Sequence, residues 1–524
     1  MKITSLALAA AGLVACVVPA AASDWNTPQE PFALSADSYY VGTRGLSSVL
    51  IASKDGHILI DGATAEAAPL IAANVRKLGF KVEDIRIILN SHEHMDHAGG
   101  ISELQRLSGA EVKATPAAAP VLRSGQASRS DPQYGSVTAM APVSRVTVVR
   151  DGETVKLGPL AVTLHATPGH TQGGSTWTWR SIAASKIVDM VYADSLTAIG
   201  AGAFRYSGDP AYPTARRDIE RSIAIVAALP CDVLVSAHPE AGGLWQRHAA
   251  GALVDKGACS AYADKGRAWL AKTLAAEAKT TPIAWRDNAR ISEMFEKAGV
   301  TGTFVVHDVA SGEYTGHDRQ RAHIRYVPAS TFKIPNSLIG LGAGAVTNVD
   351  EVLPYGGGPT FLPQWARDMP LREAIRISNV PVYKELARRI GMPRMRESLR
   401  RLDYGSMDTG AVIDTFWLEG PLKISAIEQT RFLGRLAQDA LPFPKPAMAA
   451  VREIVRQDDH PNLYAKTGWY MPDDRKNQIG WWVGWVEKEG KVYAFALNVD
   501  VTDNAAAAKR VPLGKAALQA LGLL

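Results

Sequence analysis

Residues 91–100 read SHEHMDHAGG and follow, one residue on, the run Ile85-Arg86-Ile87-Ile88-Leu89, an apolar stretch with the length of a buried strand. His92, His94, Asp96 and His97 fall within six positions. Groups of this kind are costly to bury unless they are paired or bound to a metal. Imidazole nitrogens and a carboxylate oxygen suit Zn²⁺. The mixture of alternating and adjacent positions fits a turning loop that offers ligands to two ions, and it excludes a single helix-face site of the H-E-x-x-H kind. Ligands placed just past a strand end point to a layered α/β unit with its site at the strand termini.

The flanking sequence agrees. Short apolar strands are expected over residues 40–65, in GLSSVLIAS and GHILIDGAT, with a helix over 66–80. Further strands are expected between Val143 and Trp179, then a helix from Thr214 to Leu229, a strand from Asp232 to Ser236 and a helix from Ala258 to Ala278. Lys279-Thr280-Thr281-Pro282 ends that helix, because the residue before a proline is pushed out of the α region. A chain of 524 residues exceeds what one core supports, so 23–278 and 283–524 are read as two domains joined by the 279–282 linker. At 47% hydrophobic and 21% charged residues the composition is that of compact enzymes, not of disordered or fibrous chains. The net charge of +5 comes without a dense Lys/Arg run, which gives no electrostatic case for nucleic acid.

Residues 1–22 have the layout of a secretory signal: Lys2, an apolar run from Leu6 to Val18, and Ala20-Ala21-Ala22 before Ser23. The run is shorter than the roughly 20 residues of a spanning helix, so no transmembrane segment is expected in the mature chain. Leu13-Val14-Ala15-Cys16 offers a second reading, a lipoprotein box acylated at Cys16. Export to the periplasm would leave Cys231 and Cys259 where disulfides persist. A bridge there would stabilise by about 3 to 4 kcal/mol in the chain-entropy model, the alternative being two buried thiols.

Through H-x-H-x-D-H, together with ILIDGAT, TPGHTQGG, MVYADSLTAI and SAHPEAGGLW, residues 25–275 resemble the third subclass of class B metallo-β-lactamases. The resemblance implies an αβ/βα sandwich and two zinc ions, one held by His92, His94 and His170 and the other by Asp96, His97 and His238. Asp96 thereby counts among the catalytic residues as well. Paired cations lower the pKa of a water and polarise the lactam carbonyl and the departing nitrogen. The resemblance also implies that Ser195 and Thr197 bind the substrate carboxylate, against the plainer reading of two structural turn hydroxyls.

The C-terminal half carries Pro328-Ala329-Ser330-Thr331-Phe332-Lys333, a nucleophile and a base three residues apart where a helix begins. S-x-x-K alone is common, but Lys466-Thr467-Gly468 follows before two long apolar strands, IGWWVGWVEK and KVYAFALNVD. With ASTFKIPN, Ser378-Asn379-Val380, FWLEGPLKIS, AKTGW and GWWVGWVEK, residues 283–524 resemble the class D serine β-lactamases, or oxacillinases. That implies an α/β transpeptidase-like fold, acylation of Ser330, and an oxyanion hole from the N–H groups of Ser330 and Trp469. It implies a carbon-dioxide-derived carbamate on Lys333 as base, favoured by an apolar pocket of Val380, Trp417 and Leu418. Ser378 would relay protons, and Lys466 and Thr467 would face the substrate carboxylate. Trp481, Trp482 and Trp485 are read as core. Two departures from the family stand out: Tyr404-Gly405-Ser406 where it has Y-G-N, and Gly514 where it has a carboxylate-binding basic residue, with Arg510 one turn away.

The expected function is a bifunctional β-lactamase acting on penicillins, cephalosporins and carbapenems, and so an agent of antibiotic resistance. One alternative joins an active zinc enzyme to a β-lactam-binding sensor. Another keeps the metal fold for a different ester, thioester or lactone hydrolysis. β-Lactams are the expected small-molecule partners, and the oligomeric state is not legible.

Overall fold

A computed structural model of the chain describes residues 25–279 and 283–524. The expected signal at 1–22 and residues 280–282 of the linker lie outside the described residues. Two compact units change over between Ala276 and Glu277, in the last turn of the helix Ala258–Ala278.

In the first unit a seven-stranded sheet runs in chain order from Phe32–Ala33 to Val146–Val148. Its early hairpins are antiparallel, and Gly56–Ile60, Ile85–Leu89, Glu111–Ala114 and Val146–Val148 then pair in parallel. Alternation along the strands decides what each face covers. Ile58, Ile60, Ile87 and Leu89 point to the core between sheets with Trp177, Met190 and Val233, while Leu59 and Ile88 pack with Ile71, Val75 and Ile101 of the helices. The second sheet has five strands, in the order Val233–Ser236, Lys186–Ala193, Ser175–Ala183, Leu160–Ala166 and Thr154–Leu157. The result is the expected αβ/βα sandwich. Cys231 and Cys259 form a disulfide that ties the start of the helix Ala258–Ala278 to the segment before Val233.

The second unit is built on a seven-stranded sheet in which Gly302–Asp308, Lys491–Val501, Gln478–Lys488 and His460–Tyr470 are successive antiparallel neighbours. One face meets the helices Ala289–Ala298 and Arg510–Ala520 through Ile291, Phe295, Phe304, Trp482, Leu497, Leu513 and Leu518. The other packs on a large helical layer whose core includes Phe332, Leu338, Leu386, Leu433, Trp481 and Trp485. Trp481, Trp482 and Trp485 are thus core residues shared between the two faces, as their apolar setting leads one to expect. Among the described residues no helix is long and apolar enough to cross a membrane.

Candidate active sites

The strand Ile85–Leu89 delivers residues 90–94 to the sheet end, and a short helix, Met95–Ala98, turns Asp96 and His97 back toward His92. His170 arrives on the loop between Leu160–Ala166 and Ser175–Ala183, and His238 on the loop after Val233–Ser236. One nitrogen each of His92, His94 and His170 falls within 4.8 Å of the others. Asp96, His97 and His238 close a tighter triangle: Asp96 Oδ2 lies 3.1 Å from His97 Nε2 and 3.3 Å from His238 Nε2, with 3.2 Å between the two nitrogens. His92 Nε2 is buried without a hydrogen-bond partner. An orphaned imidazole nitrogen and three donor atoms crowded together are what zinc would satisfy, so the residues fit the metal. All six expected ligands converge.

Asp194, Asp131 and Asp61, to which the sequence assigns no role, and Thr197, read there as a substrate ligand, orient these residues. Asp194 Oδ1 lies 2.8 Å from His92 Nδ1, and Asp131 Oδ2 lies 2.8 Å from His94 Nε2. The Thr197 carbonyl and hydroxyl lie 2.8 and 3.1 Å from His170 Nδ1. Each acceptor fixes a tautomer, leaving Nε2 of His92, Nδ1 of His94 and Nε2 of His170 to face the metal. Gln133 Nε2 stands 3.4 Å from His170 Nε2. Buried Asp61 braces the ligand loop, accepting from Ser91 N at 2.7 Å, Ser91 Oγ at 2.5 Å and Tyr192 OH at 2.8 Å. Burial works to raise the Asp96 carboxyl, but His97 and His238 outweigh it and hold that group well below the usual carboxylate range. Ser195 is buried beside Asp194, while Thr197 is partly exposed with its hydroxyl engaged by His170.

In the second unit Ala329–Phe332 forms a 3₁₀ turn that leads into the helix Lys333–Gly342. In such a turn positions three apart eclipse, so Ser330 and Lys333 lie side by side with Lys333 Nζ 2.7 Å from Ser330 Oγ. Ala329, just before the nucleophile, is held at φ 49°, and Ser378 at φ 59°. Side chains in the left-handed region cost on the order of 1–3 kcal/mol and persist where packing over-determines them. Lys333 is fully buried. Its amine lies 5.3 Å from the Tyr383 ring centre, and Trp417 stacks on Phe332 at 5.3 Å. Burial, and then the charge of Lys466, push the Lys333 ammonium well below its ordinary pKa. Lys466 Nζ donates to Ser378 Oγ at 3.0 Å; burial and then Arg510 bring its pKa down to about 7.

Ser330–Lys333 and Ser378–Lys466 are therefore two hydrogen-bonded pairs, near enough that the charge of Lys466 bears on Lys333, with Thr467 and Trp469 following Lys466 on the strand His460–Tyr470. The two departures now have physical consequences. Ser406 Oγ accepts from Lys423 N at 3.0 Å and Ser406 N donates to the Lys423 carbonyl at 2.7 Å, so this residue fastens its loop. A Cβ at Gly514 would come 2.2 Å from the Trp482 ring, so that ring already fills the place of a side chain there. Arg510 instead lies across Gly480 and donates to the Gly468 carbonyl, with its guanidinium 5.4 Å from the Trp469 ring centre.

The metallo-beta-lactamase superfamily model matches residues 41–181, and the penicillin-binding protein transpeptidase domain model matches 302–519. The β-lactamase OXA-5 of Pseudomonas aeruginosa is 36% identical over 259 residues, which are 49% of this chain and 95% of that one. The crystal structure of MEM-A1, a subclass B3 metallo-β-lactamase from a soil metagenome library, is 61% identical, covering 49% of this chain and 99% of that one with a TM-score of 0.48. The class D β-lactamase FUS-1 (OXA-85) of Fusobacterium nucleatum subsp. polymorphum is 42% identical, covering 46% of this chain and all of that one (100%) with a TM-score of 0.44. On the family models and these sequence identities, the chain belongs to the β-lactamases twice over, its first unit to the metallo-β-lactamases and its second to the class D, transpeptidase-like serine enzymes.

Proposed function

We propose that the chain opens the β-lactam ring at two centres of unrelated chemistry, penicillins at both and cephalosporins and carbapenems chiefly at the first. The observation that carries this reading is that a complete six-residue ligand set and an intact Ser330–Lys333 pair occur in one chain. The basic residue absent at Gly514 bears on substrate binding, and alternatives that need one half to be inert gain no support from a missing zinc ligand, nucleophile or base.

At the first centre His92, His94 and His170 would hold one zinc and Asp96, His97 and His238 a second. Zinc there would supply Lewis acidity and a water acidic enough to attack at neutral pH. Asp194, Asp131 and Thr197 keep the three imidazoles in the tautomers that binding needs. Ser195, with Thr197, is assigned to the substrate carboxylate, and Thr197 is also assigned to the orientation of His170.

At the second centre Ser330 Oγ attacks the lactam carbonyl, forming the new C–O bond and a tetrahedral oxyanion whose collapse breaks the ring C–N bond. The Ser330 proton has Lys333 within 2.7 Å to receive it, which requires that Lys333 be uncharged. The same uncharged amine can add carbon dioxide, and the resulting carbamate would be a base suited to both acylation and deacylation. The Tyr383 ring lies over the amine of the wholly buried Lys333, and Trp417 stacks on the neighbouring Phe332. Backbone N–H groups of Ser330 and Trp469 would stabilise the oxyanion. Ser378, which accepts a hydrogen bond from Lys466, would return a proton to the ring nitrogen. Lys466, Thr467 and, in this chain, Arg510 would bind the substrate carboxylate.

The Cys231–Cys259 disulfide supports an oxidising compartment such as the periplasm, reached through the signal at 1–22. A resistance role follows, and it is tested by expressing wild type and the double variant His94→Ala/Ser330→Ala in a susceptible host. Equal minimal inhibitory concentrations for the two would refute it.

A further inference from the structure

The second unit contains a cavity of about 620 Å³ between the strands Gly302–Asp308 and Tyr314–His317 and the helix Ala426–Ala437. This volume is in the range of small-molecule sites. None of Ser330, Lys333, Ser378, Lys466 or Trp469 lines it. Its aromatic wall is built by strand pairing: His307 stands opposite Tyr314, and their rings stack at 4.3 Å with 2° between planes. Val309, Leu402 and Phe432 extend that wall with apolar surface.

The charged part of the lining is unbalanced. Arg431 donates to Tyr314 OH at 3.1 Å and Arg435 to the Leu402 carbonyl at 3.2 Å, and among the described residues neither has a carboxylate partner. Two acids border the cavity, Glu428 and Asp403. Glu428 is already gripped by Arg325 and accepts from Ser425 N at 2.9 Å in the capping box of its helix. Asp403 forms no ion pair with either arginine. Two guanidiniums with spare donors, set beside flat aromatic surface, match a planar ring that carries a carboxylate.

The same helix reaches the nucleophile. Gln429 Nε2 donates to Thr331 Oγ1 at 2.9 Å. Phe432 meets Tyr404 edge-on at 5.2 Å, and Tyr404 meets Phe332 at 5.7 Å. Thr331 and Phe332 are the two residues between Ser330 and Lys333, so the helix that walls the cavity also touches the turn that aligns nucleophile and base. We propose that this cavity binds a small aryl carboxylate and that the helix Ala426–Ala437 carries its occupancy to the Ser330 turn.

The test uses 1-naphthoate and the full-length, zinc-loaded chain. Calorimetry should give one bound molecule, weakened about tenfold or more by Arg431→Gln and by Arg435→Gln, and retained by Lys466→Ala and His94→Ala. Arg431 is exposed, so its replacement leaves the fold intact, and thermal melting checks this. Absence of binding, indifference to both arginine variants, or loss in Lys466→Ala or His94→Ala would overturn the cavity assignment. In a full-length His94→Ala chain, saturating naphthoate should change Ser330-dependent penicillin hydrolysis about threefold or more, and Arg431→Gln should remove the change. A constant rate with the cavity filled would overturn the coupling. A chain with no Ser330-dependent turnover would instead refute the serine-site reading, and the binding measurement would still decide the cavity.

Discussion

Lys333 Nζ and Ser330 Oγ stand 2.7 Å apart with the lysine wholly buried, and the charge of Lys466 adds to the cost of protonating it. Lys333 works as base, or as carbon dioxide acceptor, only without its proton. Its pKa is depressed by burial and by Lys466, so the useful form persists to lower pH than for an ordinary lysine and is lost as pH falls through that depressed value. Lys466 works in the opposite sense, since its charge is lost as pH rises through about 7. In the presence of a chelator, kcat/KM for a penicillin should therefore be bell-shaped, and bicarbonate should raise the acid limb. A flat acid limb unaffected by bicarbonate would count against an uncharged Lys333 as the working group.

Arg510 supplies a positive charge next to Gly468 that Gly514 cannot. Arg510→Ala should raise the penicillin KM of the chelated enzyme about tenfold, roughly 1.4 kcal/mol, with kcat little changed. Gly514→Arg should not repair the loss, because Trp482 occupies the space, and it should destabilise the second unit by about 1–3 kcal/mol. Steady-state kinetics and thermal melting read both. Wild-type kinetics in Arg510→Ala would remove Arg510 from the substrate site.

Asp131 holds His94 at 2.8 Å and is not itself assigned as a ligand. Asp131→Asn should weaken zinc binding about 10- to 100-fold, measured by competition with a chromophoric chelator. Penicillin turnover by Ser330 in excess chelator should be the same as in the parent. Unchanged zinc affinity would leave Asp131 a purely structural role.

The Cys231–Cys259 bridge closes a loop across 28 positions of sequence. Replacing both cysteines by serine should destabilise the first unit by about 3.6 kcal/mol in the chain-entropy model. Ser330-dependent turnover should be unaffected, and calorimetric melting of the two units provides the measurement.

Much of this was legible because the chemistry is local in sequence. His92, His94, Asp96 and His97 share one loop, and Ser330 and Lys333 share one turn. His170 and His238 could be named through the family resemblance, and the strand Ile85–Leu89 is found where its apolar run predicts. The supporting groups lie far off in the chain: Asp194 is 102 positions from His92 and Asp131 is 37 from His94. Asp194 lies within the quoted MVYADSLTAI stretch but no ligand spacing ties it to His92, and Asp131 sits in no motif at all. Arg510 was legible as a basic residue one turn from Gly514, but its contact with the Gly468 carbonyl was not, nor was Trp482 of a neighbouring strand filling the space beside Gly514. Ser330 and Lys333 do meet as their spacing suggests, through a 3₁₀ turn at the head of the helix.

The central claim is that two complete catalytic centres reside in one chain. It is tested most directly by penicillin and carbapenem hydrolysis in wild type, Ser330→Ala and His94→Ala, with and without chelator and in added bicarbonate. Penicillin turnover should partly survive chelation in wild type and vanish under chelation in Ser330→Ala, whereas carbapenem turnover should depend on zinc and survive Ser330→Ala. Complete loss of penicillin turnover on chelating the wild-type enzyme, or loss of carbapenem turnover in zinc-loaded Ser330→Ala, would contradict it.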